Sequence, residues 1–212
     1  MAAHPISVMD ARAYITPNRA VIQIQLFAED LVLFDGVEAD SNDVVQPAEL
    51  QRGLDLHREF LVEKIILRDK DGERIPGQIT NVTPFEIPEE GIPSAEMMQH
   101  SAVYTLEYSF STPPAFLTFG QEVADPNFIF PSEMNLAIHQ AGTDVTYTTK
   151  LKAGANETHR FDWDEQPLNE EATDEEWRQW LQNRREKTLG IESYGSVYSF
   201  IYIEPAEVRH EL

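Results

Sequence analysis

Alternation of apolar and polar side chains with a period of two constrains this chain most. From Ala20 the sequence reads A-V-I-Q-I-Q-L-F, with Ile22, Ile24 and Leu26 separated by Gln23 and Gln25. Successive side chains of a strand point to opposite faces, so such a segment has one buried face and one wet face. Residues 7–15 read as its partner, and Thr16-Pro17-Asn18-Arg19 supplies the turn of a hairpin. Further strands are predicted at 63–68, 78–82, 102–110, 116–121, 134–140, 145–151 and 159–163. The clearest hairpin turns are Asp69-Lys70-Asp71-Gly72 and Ala141-Gly142-Thr143-Asp144. Many short strands at this spacing predict a mainly β protein, an immunoglobulin-like antiparallel β-sandwich with two accessory helices.

The first predicted helix spans 47–61. Pro47 suits the first helical position, and Leu50, Leu54, His57 and Leu61 recur at i, i+4, i+7 and i+11. The second begins at Thr173, whose hydroxyl and the Glu176 carboxylate match a capping box. Asp174 and Glu175 then sit at the positive end of the helix, Arg184, Arg185 and Lys187 at the negative end, and Gly190 provides the stop.

These elements predict a sandwich core over 4–165 carrying the inserted helix, then an extension over 166–212. The extension comprises an acidic linker, the amphipathic helix and an aromatic strand, Ser196-Val197-Tyr198-Ser199-Phe200-Ile201-Tyr202-Ile203. It is expected to pack on the core or to lead into a further segment, because the chain stops at Arg209-His210-Glu211-Leu212 without a polar tail.

The formal net charge of -21 and a pI near 4.5 argue against nucleic acid and anionic membrane surfaces, both of which would repel such a chain. The acid excess suits cationic partners, metal ions or plain solubility. No cysteine occurs, which excludes disulfides, thiolate zinc sites and cysteine nucleophiles. No apolar run reaches the roughly 18 residues of a membrane helix.

Chemical motifs are sparse. No G-x-S-x-G elbow, G-x-G-x-x-G turn or phosphate loop occurs, so neither nucleophilic nor nucleotide chemistry has an anchor. Asp69 and Asp71 flank Lys70 in a spacing faintly like a calcium loop, but the later oxygen ligands are missing and a hairpin turn explains them. His57 lies on the apolar face of the first helix, where a hydrogen-bonded core imidazole is the commoner arrangement. Trp177, Trp180 and Leu181 form an apolar stripe that fits docking on the chain's own sandwich or anchoring a partner. Asn81-Val82-Thr83 and Asn156-Glu157-Thr158 have glycosylation spacing, a pattern that arises often by chance. The 37 acidic residues guarantee chance carboxylate pairs, so an acidic hydrolase remains an alternative without a named pair.

Small residues before His4-Pro5 match what surrounds a signal-peptide cleavage site. Cleavage after Ala3 would leave His4 with a free amine, a copper-chelating arrangement that one of His57, His100, His139, His159 or His210 could complete. This makes a periplasmic copper-binding protein a second alternative. Beyond it, no catalytic, cofactor or metal-binding residue is assigned.

The opening His4-Pro5, the hairpin and Glu29-Asp30-Leu31, together with the tail Tyr202-Ile203-Glu204-Pro205 and Glu207-Val208-Arg209-His210-Glu211, resemble uncharacterised bacterial extracytoplasmic domains. In particular they resemble the soluble N-terminal region of HupE/UreJ-like hydrogenase and urease accessory proteins. The resemblance implies an exported, β-rich module beside a membrane-embedded neighbour, and it carries no catalytic residue across. The expected function is a non-enzymatic, extracytoplasmic (periplasmic or cell-envelope) binding or scaffolding module with a protein partner.

Overall fold

Alternation resolves into a six-stranded sheet whose inner face is apolar and whose outer face is polar. The computed structural model describes residues 7–124, 132–143, 145–163, 173, 175, 178–179, 200–204 and 207–211. The chain divides into two compact units, Met1–Gln166 and Pro167–Leu212.

In the first unit the elements run β1 (Ser7–Thr16), β2 (Arg19–Phe27), α1 (Ala28–Phe34), β3 (Val44–Val45), α2 (Pro47–Lys64), β4 (Ile65–Arg68), β5 (Gly77–Thr83) and β6 (Ile92–Pro93). After a 3-10 helix at Ser94–Gln99 come β7 (Ser101–Ser109), β8 (Phe116–Gln121), β9 (Ser132–Gln140), β10 (Thr146–Lys152) and β11 (Asn156–Arg160). In the second unit β12 (Phe200–Glu204) and β13 (Glu207–Glu211) pair antiparallel. Glu175, Arg178 and Gln179 are helical, and Arg178 donates to Glu175 at 2.8 Å. Thr173 is described, but Glu176, Trp177, Trp180, Leu181 and Gly190 of the predicted second helix lie outside the described residues, as do residues 164–172 of the linker predicted over 162–172.

The large sheet has the order β10-β9-β1-β2-β7-β5, and a second sheet has the order β11-β8-β4. The protein is thus mainly β, as the alternation predicts. The sheet is not wholly antiparallel, however, contrary to the expected antiparallel sandwich. β1 pairs with β9 in parallel from Ser7 opposite Ser132 to Ile15 opposite Gln140. Parallel neighbours need a long crossover, and turn residues, which mark hairpins, leave no local trace of one.

The inner face of the large sheet presents Met9, Ala11, Ala13 and Ile15 from β1, Ala20, Ile22, Ile24 and Leu26 from β2, with matching rows on β7 and β9. Each fully buried Leu or Ile contributes roughly 1.5–3 kcal/mol. Leu50, Leu54 and Leu61 of α2 and Leu117 and Phe119 of β8 join the same core. The α2 helix begins at the expected Pro47 but runs on to Lys64, so Glu63 and Lys64, predicted to open a strand, instead close the helix. Tyr104 on β7 donates its hydroxyl to the Leu54 carbonyl at 2.9 Å, pinning α2 over the sheet.

A buried amide ties the two sheets. Gln121 of β8 is fully buried, donates to the Leu151 carbonyl at 3.2 Å and accepts from the Val123 amide at 2.8 Å and the Ser132 hydroxyl at 3.3 Å. A buried amide is tolerated only when its donors and acceptor are matched, and these bonds match them across β8, β9 and β10.

Candidate functional site

Two polar constellations stand out, one buried and one open. The buried one joins α1 to α2 and to the start of β1. Asp30 sits at the third position of α1, where its carboxylate reaches back to the Phe27 amide at 3.0 Å, half of a capping box. Its other oxygen accepts the Ser7 hydroxyl at 2.6 Å. Burial pushes the Asp30 carboxyl above its ordinary range, an effect that the Ser7 and Phe27 bonds only partly offset. One turn on, Asp35 ends α1 and holds His57 Nδ1 at 2.6 Å, with both side chains almost fully enclosed. The His57 ring packs 5.1 Å from Phe60 and 5.7 Å from Tyr104, and its Nε2 has no hydrogen-bond partner among the described residues. Burial, with the Asp35 and Asp55 carboxylates, raises the Tyr104 phenol well above its usual value.

The open constellation is the solvent face of the large sheet, where strand register sets the side chains in rows. One row crosses β7, β2, β1, β9 and β10 as Thr105, Gln23, Arg12, Ala137 and Thr148. The next crosses the same strands as Val103, Gln25, Asp10, Asn135 and Lys150. All of these except Thr105 line a hollow of about 720 Å³. A volume of this size lies within the range of about 300–1,000 Å³ usual for ligand sites. The dip follows from side-chain length, since Ala137 is the shortest residue in its row and stands between Arg12 and Thr148. Asn135 donates to Asp10 at 2.9 Å, Lys150 lies 3.7 Å from Glu133, and Gln25 donates to Ser101 at 3.1 Å. Arg12 and Gln23 make no side-chain hydrogen bond or ion pair among the described residues. A third row places Tyr14 beside His139, their rings stacked 5.1 Å apart.

The residues singled out from sequence are dispersed. His4 lies outside the described residues. His57 is the hydrogen-bonded core imidazole its position on α2 predicts. His100 packs on Phe85, His139 on Tyr14, and His159 lies between Tyr147 and Phe161. Burial lowers the His159 pKa. His210 falls on β13. Among the described residues no three of the His, Asp and Glu side chains gather in a way that could hold a metal ion.

Asp69 accepts the Asp71 and Glu73 amides, each at 2.9 Å, and Gly72 adopts φ +82. The carboxylate is therefore engaged by the turn itself, as a hairpin requires. Asn81 and Asn156 both lie within paired strands. Asp30 and Asp35 are the enclosed carboxylates beside His57, and neither lines the hollow.

The hollow was missed from sequence because its residues come from five strands joined by one parallel pairing. The weak signal that could have found it was Gln23 and Gln25, two amides on the wet face of the most regular strand.

Among the described residues no helix is long and apolar enough to cross a membrane. No protein-family model matches the chain, and no curated protein shows significant sequence similarity to it.

Proposed function

We propose that this chain is a non-enzymatic binding or scaffolding module that acts outside the cytoplasm and meets a protein partner through the outer face of its six-stranded sheet. The observation that carries the reading is the hollow over β1, β2, β7, β9 and β10, where polar groups with unspent hydrogen-bonding capacity face solvent on a rigid support. The enclosure of Asp30, Asp35 and His57 supports a structural role for that cluster, because a reacting group must be reached by its substrate. Export rests on the residues around His4 and on the resemblance to extracytoplasmic domains. The finer description of the fold as a two-layer, immunoglobulin-like sandwich is supported by the core shared between the six- and three-stranded sheets.

The test is a photoreactive side chain placed at Gln25 in the hollow or at Glu59 on the exposed side of α2, in cells carrying the natural reading frame. The reading expects an extracytoplasmic protein that forms a discrete protein adduct from Gln25 and none from Glu59. Adducts from Glu59 alone, or a cytoplasmic location, would overturn it.

A further inference from the structure

We infer that the outer-face hollow recognises an extended peptide carrying a single carboxylate side chain, with Arg12 as the residue that receives it. This rests on the reading of the sheet face as the binding surface and names the chemistry of the partner.

Arg12 stands on β1, a central strand, with Gln23 opposite it on β2 and Ala137 opposite it on β9. The other charges lining the hollow are engaged: Asp10 by Asn135 and Lys150 by Glu133. Arg12 has no acid partner among the described residues, although the chain carries 37 acids against 16 Lys and Arg. A guanidinium presents a planar fork of donors that fits a carboxylate in two parallel bonds. Ala137, having no side chain beyond Cβ, leaves room beside that fork.

The surroundings favour a peptide over a sugar. Gln23 stands beside Arg12 in the same row and Thr148 lies beyond Ala137, while Gln25 and Asn135 lie in the next row. Amides offer both donors and an acceptor, the complement of peptide N–H and C=O groups. Among the described residues no aromatic ring lines the hollow to stack against a sugar.

Charge sets the number of carboxylates. Fields are screened beyond about 8 Å at physiological salt, so at contact Arg12 dominates over the remote acids. A polyanion, whose charges would extend past the hollow, meets the net charge of -21.

The experiment titrates the purified full chain with the peptide acetyl-Ala-Thr-Glu-Thr-Ala-amide, the same peptide with Gln for Glu, and a trimer of galacturonic acid. Arg12→Gln, Arg12→Lys and the control Arg58→Gln on α2 are compared, each checked for an unchanged thermal transition. The expected result is that the Glu peptide binds at least about tenfold more tightly than the Gln peptide. That advantage should vanish in Arg12→Gln, shrink in Arg12→Lys and persist in Arg58→Gln. Equal binding of the two peptides, no binding of either, an advantage that survives Arg12→Gln, or tighter Arg12-dependent binding of the sugar acid would each overturn the inference. Those results would leave the binding-face reading standing wherever the Gln25 adduct forms, so the two failures are told apart.

Discussion

His57 Nδ1 on α2 lies 2.6 Å from the Asp35 carboxylate that ends α1, and this buried contact clamps the two helices together over the sheet. Taking charged or strongly polar groups out of water is costly, so the pair persists only because each partner answers the other. Removing one partner strands the other. His57→Leu alone and Asp35→Leu alone are each expected to destabilise by about 3–5 kcal/mol, whereas the double variant should cost well below their sum. Denaturant unfolding of the four proteins checks this, and strict additivity would show that the contact contributes no coupling.

Asp30 gives a pH dependence of definite sign. Its carboxyl is raised from the ordinary value of 3.8 by burial, so the folded chain holds this proton more tightly than the unfolded chain. The resulting stability is fully present below that ordinary value and is lost as pH rises through the folded pKa. Asp30→Asn can keep both bonds, its carbonyl accepting from Phe27 while Ser7 turns to accept from the amide. The variant should therefore gain on the native protein as pH climbs above 3.8, measured as the difference in unfolding free energy across that range.

Gly53 of α2 faces Leu31 of α1 and Val37 just after it. A Cβ there would fall 2.6 Å from Val37 Cγ2 and 3.2 Å from Leu31 Cβ. Alanine gains about 1 kcal/mol of helix propensity over glycine, but overpacking typically costs about 1–3 kcal/mol. Val37 is buried and β-branched, so its methyl has little freedom to move aside. Gly53→Ala is expected to lower the melting temperature, and a raised one would mean that the helices separate more readily than their packing indicates.

Much of this architecture was legible because strands with one wet face write their burial directly into the sequence. Ile22, Ile24 and Leu26 point inward, and Gln23 and Gln25 outward, as alternation requires. Pro47 opens α2, and the leucines at 50, 54 and 61 face the core. Four things were not legible. α1 spans only Ala28–Phe34, too short to show a helical period. The β1–β9 pairing joins residues more than 120 apart, with no local signature. The hollow depends on that pairing, since Arg12, Ala137 and Asn135 become neighbours only through it. His57 was placed correctly on its face, but its partner Asp35 lies 22 residues away and could not be named from spacing.

Gln121 tests whether the two sheets are held by polar matching as well as by apolar contact. Gln121→Met keeps length and apolar volume but strands the Val123 amide, while the Ser132 hydroxyl keeps the Val123 carbonyl as its acceptor. Unsatisfied buried groups cost about 1–3 kcal/mol each. A loss of about 1–3 kcal/mol is expected in denaturant unfolding, and a neutral outcome would show that the amide finds another partner.

The binding face itself is tested most directly by filling it. Ala137→Trp places an indole in the hollow beside Arg12 while leaving the inner face of β9 untouched. Combined with the photoreactive side chain at Gln25, this substitution should abolish the protein adduct without lowering the thermal transition. An adduct of undiminished yield from the filled hollow, in a chain that remains folded, would contradict the assignment of this face as the partner's docking surface.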